Sequence, residues 1–269
     1  MLFASINPFE HVLDTDVWHF FESVHIGFSL RYPFTKFIIL LFIAAAVMFA
    51  VFVPLARRLK AGKPPNNLIG RIALGLLLFV RDEIVIPGIG EHDANRYLPF
   101  FWSMFFFIFT CNLLGMLPFF ASPTGNIWVT AALALCAFAV IHGSAMLKLG
   151  PGHYFKAHFP HVDAPMGLGA VIGFFIGCIE IMGDFIKGFV LAVRLFANIF
   201  AGHTVLGVIL MLIVMAKYAP GFLFWPITFG SVVSVTALSF LELFIAFLQA
   251  YVFTFLTSIF LGMAVHPEH

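Results

Sequence analysis

Charged residues are scarce in this chain. Only 10% of its 269 residues are Asp, Glu, Lys or Arg, whereas 62% are hydrophobic. A soluble domain usually carries about 25% charged residues, so the composition excludes a soluble globular protein. The formal net charge of +1 also excludes a nucleic-acid-binding protein, because such proteins need a concentrated basic surface. The sequence therefore predicts an all-α polytopic membrane protein.

Cysteine is also rare, and histidine is present without clustering. The 3 cysteines all lie inside apolar runs, where cysteine commonly serves as a small packing residue. The 11 histidines are too scattered for a membrane-bound metal-dependent oxidase or desaturase. His153, His158 and His161 share one polar loop but lack the regular spacing of metal ligands. We expect neither a metal site nor a cofactor.

Long apolar runs fill most of the sequence. A membrane-spanning helix needs about 20 apolar residues, and the runs predict about five membrane helices and one interfacial helix in a single membrane domain, 1–269. The predicted segments are an outside tail at 1–36, a span at 37–56, a cytoplasmic segment at 57–96 with the interfacial helix at 68–86, a two-span hairpin at 97–147, a cytoplasmic loop at 148–165 and a hairpin of long helices at 166–265.

The densest basic cluster of the chain sets the predicted orientation. Arg57, Arg58, Lys60 and Lys63 directly follow the first span. Cytoplasmic loops carry an excess of Lys and Arg. This end of the first span is therefore expected to face the cytoplasm or its equivalent, with the acidic tail at 1–36 outside.

The last two apolar runs are each more than twice as long as a span. As straight helices, 166–215 and 222–265 would be about 65–75 Å long. Each run is either two crossings or one steeply tilted helix. We favour two long tilted helices that form a hairpin closed at 217–221, because no ordinary polar turn interrupts either run. A helix lying across the membrane must be covered by protein or face water, so we expect a membrane-embedded partner.

Arg194 lies deep inside the first of these two runs. A guanidinium does not lose its proton to escape burial, and a charge at this depth costs at least a few kcal/mol. At about 100° per residue, Lys187, Glu180, Asn198 and Asp184 all fall within about 80° of Arg194. Five polar residues on one stripe are more than a structural ion pair requires, which indicates an ion path.

Other polar residues belong to different faces. His203 falls about 180° from Arg194 on the same helix, and its spacing alone does not distinguish an ion-path residue from a core histidine. On the last helix, Glu242 and Gln249 are seven residues apart and share a face. Asn112, in an earlier span, fits an interhelical hydrogen bond better than an ion path. The separate polar faces predict a relay with separated compartments.

Two strings carry a resemblance to a known family. RLFANIFAGH, with Glu180 and Lys187 upstream, and ELFIAFLQAYVFTFL, with Glu242 and Gln249, resemble subunit a of F-type ATP synthases. The NLLGMLP segment at 112–118 and the order of the spans extend the resemblance over most of the chain. It implies a stator subunit, not catalytic alone, that provides two aqueous half-channels to a rotating ring of subunit c and couples proton flow to ATP synthesis.

The resemblance also implies roles for individual residues. Arg194 matches the essential arginine of the family, Asn198 its polar neighbour, and Gln249 the glutamine opposite the arginine. His203 and Glu242 match two positions that carry Glu and His in many bacterial members, and the exchange implies that they act as a pair. The further candidates for proton translocation are Glu180 and Asp184 on the inner exit, Lys187 and Asn112.

The implied partners are the ring of subunit c, the peripheral-stalk subunit b, the remaining ATP synthase subunits and the lipid membrane. H⁺ is the implied ion, because the chain offers no oxygen-rich cage of the kind that larger cations need. The implied location is the bacterial inner membrane, with the mitochondrial inner membrane second. A secondary transporter that uses buried charges is the alternative class, although no inverted repeat relates the two halves of the chain.

Overall fold

The computed structural model describes residues 36–116, 122–150, 152, 154, 168–216 and 220–265, with no side-chain description for 36, 37, 168–171 and 203. All regular structure within these ranges is helical. The helices are α1 (Lys36–Lys60), α2 (Leu68–Phe79), α3 (Ile86–Ile89), α4 (Glu91–Gly115), α5 (Ile127–Leu149), α6 (Leu168–Ala216) and α7 (Gly221–Val265).

Among the described residues, five helices are long and apolar enough to cross a membrane: α1, α4, α5, α6 and α7. This result confirms the prediction of an all-α polytopic membrane protein. α2 has 12 residues, which is too short for a crossing. A π-helical segment at Val80–Val85 joins α2 directly to α3. The interfacial helix predicted at 68–86 therefore corresponds to a helical segment that ends three residues later, at Ile89.

The helices extend beyond the predicted spans. α4 begins at Glu91, six residues before the predicted start at 97, and α1 continues to Lys60, beyond the predicted end at 56. Hydropathy marks only the part of a helix that lies in lipid, whereas the backbone hydrogen bonds continue through the charged turns beyond it. Within the hairpin predicted at 97–147, residues 117–121 lie outside the described residues.

The two long runs are single helices. α6 has 49 residues and α7 has 45, which corresponds to about 74 and 68 Å at 1.5 Å per residue. The structure thus supports one long helix for each run rather than two crossings. The two helices pack antiparallel. Lys187, earlier in α6, lies over the ring of Phe260, which is later in α7. Asn198, later in α6, bonds to Gln249, which is earlier in α7. Their tilt in the membrane stays a prediction, and 217–219 of the predicted closing turn lie outside the described residues.

The start of α5 is determined by its N-cap. The side chain of Asn126 accepts a hydrogen bond from the backbone N–H of Trp128, with an N···O distance of 2.9 Å. Asparagine is a preferred N-cap because its oxygen satisfies an amide that lacks a partner within the helix. At the other end, Lys148 donates to Asp93 at 2.6 Å, which joins the end of α5 to the start of α4 and agrees with a common cytoplasmic side for both.

α7 is the central helix of the fold, and it packs against α4, α5 and α6. Its second half is the more deeply buried, with Phe253 and Leu261 almost fully enclosed. Phe247 packs edge-on against Phe105 and Phe109 of α4, with ring centroids 5.9 Å apart in both pairs. This packing holds α7 in a fixed register against its neighbours, including the polar positions it presents to α6.

A glycine pair brings α3 and α7 into backbone contact. A Cβ atom on Gly262 would lie 2.0 Å from the carbonyl oxygen of Gly88, so a Gly262→Ala variant must separate the two helices. We expect a cost of about 1–3 kcal/mol, measured as a lower thermal midpoint for unfolding of the purified protein. Gly143→Ala in α5 is the matched control, since nothing lies within 4 Å of its added Cβ. An equal effect of both variants would contradict the close contact.

Candidate functional site

Arg194 lies on the exposed side of α6, beside the small exposed residues Ala197 and Ala201. Within the described part of the chain, its guanidinium forms no ion pair. The buried side of α6 at this level is formed by Leu191, Ala192, Leu195 and Ile199. The arginine thus presents a permanent positive charge at the outer surface of the helix pair, where no residue described in the same chain neutralises it.

A cavity of about 190 Å³ lies between α5, α6 and α7, toward the start of α6. Glu180, Asp184 and Lys187 all line this Lys187 cavity. The Lys187 ammonium donates to Asp184 Oδ1 at 2.8 Å and lies 5.3 Å from the ring centroid of Phe260. Three of the predicted site residues therefore share one polar chamber, and the charge of Lys187 is partly balanced there.

His142 and Tyr154 also line the Lys187 cavity, and their side chains are hydrogen-bonded to each other. Burial raises the pKa of Tyr154 to about 12, and the negative charges of Asp184 and Glu180 add to the increase. The phenol is therefore protonated at neutral pH and can donate a hydrogen bond. The sequence interpretation did not include either residue in the site, because a single histidine in a span and a tyrosine beyond it carry no periodic signal.

A second cavity of about 230 Å³ lies farther along α6 and is called here the Glu242 cavity. Its walls include Asn198 and Gly202 of α6, Glu242 of α7 and Asn112 of α4. Asn198 donates to Oε1 of Gln249 at 2.7 Å. This bond joins the two long helices directly beside the cavity, so the structure brings four of the predicted site residues together there.

Asn112 connects three elements beside the Glu242 cavity. Its amide donates to the carbonyl oxygen of Ala246 in α7 at 3.2 Å, and its oxygen accepts from Thr124 at 2.6 Å. Thr124 lies in the 3₁₀ turn Pro123–Gly125 and also bonds to Ser122. Asn112 is 1% exposed, so it acts as the interhelical hydrogen bonder that the sequence favoured while its side chain still borders the cavity.

Glu242 lies against the backbone of α6. A Cβ atom built on Gly202 would be 2.6 Å from Glu242 Oε1, so the carboxylate occupies space that only glycine leaves open. His203 is the next residue of α6, but its side chain lies outside the described part of the structure. The predicted pairing of His203 with Glu242 therefore stays a prediction.

A buried, mainly apolar layer separates the two cavities, and the buried Thr254 within it donates its hydroxyl to the carbonyl oxygen of Ala250 in its own helix. Leu195 of α6 and Ala250 of α7 are 0% exposed, and Phe253 of α7 is 1% exposed. Lys187 and Asn198, on opposite sides of this layer, are eleven residues apart, or about 16 Å along the helix. The stripe predicted from helical phase is therefore divided between two chambers, with Arg194 between them on the exposed face.

These features define a class: an integral membrane protein with two separate cavities that contain ionisable side chains, and an arginine on the exposed surface between them that forms no ion pair with any described residue. Comparison with known proteins gives the family. Residues 38–262 match the family described as ATP synthase A chain. The chain belongs to this family, as the sequence resemblance predicted. It is the stationary, proton-channel component of ATP synthase and is not catalytic on its own.

Individual relatives agree with the family match. The chain is 38% identical over 235 residues to ATP synthase subunit a of Myxococcus xanthus, covering 87% of this chain and 74% of the relative. It is 40% identical over 232 residues to the Anaeromyxobacter dehalogenans (strain 2CP-C) protein, covering 85% and 57%. With the Chloroherpeton thalassium protein, identity is 34% over 276 residues, covering 98% and 78%. The similarity thus extends over nearly all of the described helices.

Proposed function

We propose that the two cavities are aqueous half-channels that serve a rotating ring of subunit c, with Arg194 as the barrier between them. The observation that carries this proposal is the buried layer of Leu195, Ala250 and Phe253. A proton cannot cross a packed apolar layer without polar groups or water. It must therefore leave one cavity, travel on a partner along the exposed face of α6, and return through the other cavity.

The exposed face of α6 suits a partner that carries one carboxyl group on each subunit. A carboxyl group facing lipid is protonated, because the anion pays the full cost of desolvation. When it reaches Arg194, the fixed positive charge favours the ionised form and releases the proton. Ala197 and Ala201 leave space beside the arginine, and small residues allow helices in a membrane to approach closely.

The residues around each cavity can be assigned to the two paths. Glu242 and His203 act on the outer path, where carboxylate and imidazole exchange protons. Asn198, Gln249 and Asn112 position that path through the hydrogen bonds already described. The inner exit is lined by Glu180, Asp184 and Lys187. H⁺ is the transported ion in this scheme, because carboxylate and imidazole groups carry protons by titration.

Membership in the ATP synthase family supports a proposal for the partners that cover the exposed surfaces of the chain. The ring of subunit c covers the exposed face around Arg194, and subunit b of the peripheral stalk holds the chain stationary. Phe175 and Phe189 of α6 are 63% and 69% exposed, and such apolar surface needs lipid or protein cover. We place the chain in a bacterial inner membrane, since the relatives compared above come from bacteria.

Thiol labelling of the assembled complex tests the two half-channels. In a cysteine-free background, Val205→Cys in the Glu242 cavity should react with a membrane-impermeant maleimide added outside. Ala264→Cys in the Lys187 cavity should react with reagent added inside. Leu195→Cys, within the apolar layer, should be unreactive from both sides. Labelling of Val205→Cys and Ala264→Cys from the same side would contradict separate half-channels.

A further inference from the structure

An apolar cleft of about 680 Å³ lies between α1, α2 and α4, away from both cavities. Its walls are formed mainly by aliphatic and aromatic side chains, including Met48, Val53 and Phe107. Trp102 also lines it, and its indole N–H donates to the carbonyl oxygen of Leu77 at 2.9 Å. The cleft therefore offers a long apolar chamber and one aromatic residue whose fluorescence can report on its contents.

The two long walls of the cleft run antiparallel. Phe52 of α1 and Phe106 of α4 are in contact, with ring centroids 4.4 Å apart, and residues toward the end of α1 lie across from residues toward the start of α4. Leu59 and Pro99 accordingly line the same end of the cleft. The basic cluster that follows the first span places this end on the cytoplasmic side.

Basic residues flank that end of the cleft on both walls. Lys60 follows Val53 by seven residues and Ala56 by four, which places it on the cleft-facing side of α1. Arg96 precedes Pro99 by three residues and Ser103 by seven, so it continues the cleft-facing side of α4. Both Lys60 and Arg96 are exposed. The cleft is thus apolar along its length, and two exposed basic residues lie just beyond its cytoplasmic end.

We propose that this cleft binds an anionic phospholipid of the cytoplasmic leaflet. An acyl chain would fill the apolar chamber, and the phosphate would lie between Lys60 and Arg96. Basic pockets between membrane helices on the cytoplasmic side have the chemistry that recognises anionic head groups. The aliphatic and aromatic walls of the cleft complement an acyl chain, and the two basic side chains beyond its cytoplasmic end complement a phosphate.

The test uses the whole ATP synthase complex, purified in mild detergent, and does not depend on the proposed proton path. Phosphatidylglycerol or phosphatidylcholine with brominated chains is added, and quenching of Trp102 is obtained by subtracting the signal of a Trp102→Phe complex. We expect saturable quenching, with half-saturation at a lower concentration for phosphatidylglycerol. Retention of phosphatidylglycerol on the unsubstituted complex, measured by native mass spectrometry, provides a readout if the Trp102→Phe subunit does not assemble.

Charge-neutral variants test the head-group contact. Because one basic residue near a membrane surface contributes about a fivefold effect, Lys60→Gln with Arg96→Gln should raise half-saturation for phosphatidylglycerol about thirtyfold at low salt. Half-saturation for phosphatidylcholine should not change. The matched control is Arg58→Gln with Arg71→Gln. Arg58 lies two residues from Ala56, so it points away from the cleft. Arg71 lies six residues from Leu77 of α2, which lines the cleft, and this spacing also places it on a different face of its helix.

Three results would overturn the proposal. Equal half-saturation for the two lipids would mean that the cleft does not select an anionic head group. An absence of quenching by either lipid, together with no retained phosphatidylglycerol, would mean that phospholipid does not occupy the cleft. A thirtyfold change in the control variant would mean that general surface charge, rather than the pair Lys60 and Arg96, attracts the lipid.

Discussion

An Arg194→Ala complex is expected to lose proton-driven ATP synthesis by about 100-fold or more. An opposite charge within about 4–6 Å lowers the pKa of a carboxyl group by about 1–3 units, which corresponds to about a 10- to 1000-fold change in its ionisation equilibrium. Without Arg194, a ring carboxyl group would pass between the half-channels still protonated. ATP synthesis in inverted vesicles, driven by an imposed proton gradient, measures this loss.

Two further variants separate the role of the charge from a general effect on folding. Arg194→Lys keeps a basic side chain, but a desolvated lysine can lose its proton, so this complex should also synthesise little ATP or leak protons. Arg71→Gln removes an exposed arginine outside the proposed path and should leave synthesis unchanged. Normal ATP synthesis by the Arg194→Ala complex would refute the central role of this residue.

The helices of this fold could be predicted because lipid leaves the backbone few alternatives. Every amide in the hydrocarbon region must bond within the chain, so the length and apolarity of a run are enough to identify a crossing. The absence of a polar turn, rather than the length of the run, supported one unbroken helix for α6 instead of two crossings. The helix ends were less predictable. α4 begins at Glu91 rather than 97 because hydrogen bonding, unlike hydropathy, does not stop at the membrane surface.

The candidate site could be predicted only in part. Helical phase grouped Glu180, Asp184 and Lys187, and all three line one cavity, but it also placed Asn198, which lines the other cavity, on the same stripe. Phase gives the angle of a side chain around a helix and does not identify the neighbouring element at each level. α6 is long enough to have different neighbours at different levels. Near Gly188 it faces α5, because a Cβ atom added to Gly188 would lie 3.8 Å from Phe138. Near Ile199 it faces the turn that contains Gly125.

Exchanging the residues at 203 and 242 is expected to produce the second large effect. Glu242→His and His203→Glu should each reduce ATP synthesis strongly, because each leaves two like groups where an acid and a base are needed to pass a proton. Glu242 reaches the α6 backbone at Gly202, directly before His203 in the sequence. The double exchange restores one carboxylate and one imidazole, and it should recover more synthesis than either single variant.

A double-mutant cycle provides the quantitative test of this pairing. Residues that act together show coupling energies of about 0.5–3 kcal/mol, whereas independent residues give additive effects. The matched control combines Glu242→His with Glu180→Gln, because Glu180 lines the Lys187 cavity beyond the buried layer. We expect coupling between 203 and 242 and near additivity between 242 and 180. A double exchange no more active than its single variants would show that these residues do not form one unit, although the two-cavity scheme would still rest on the apolar layer that separates them.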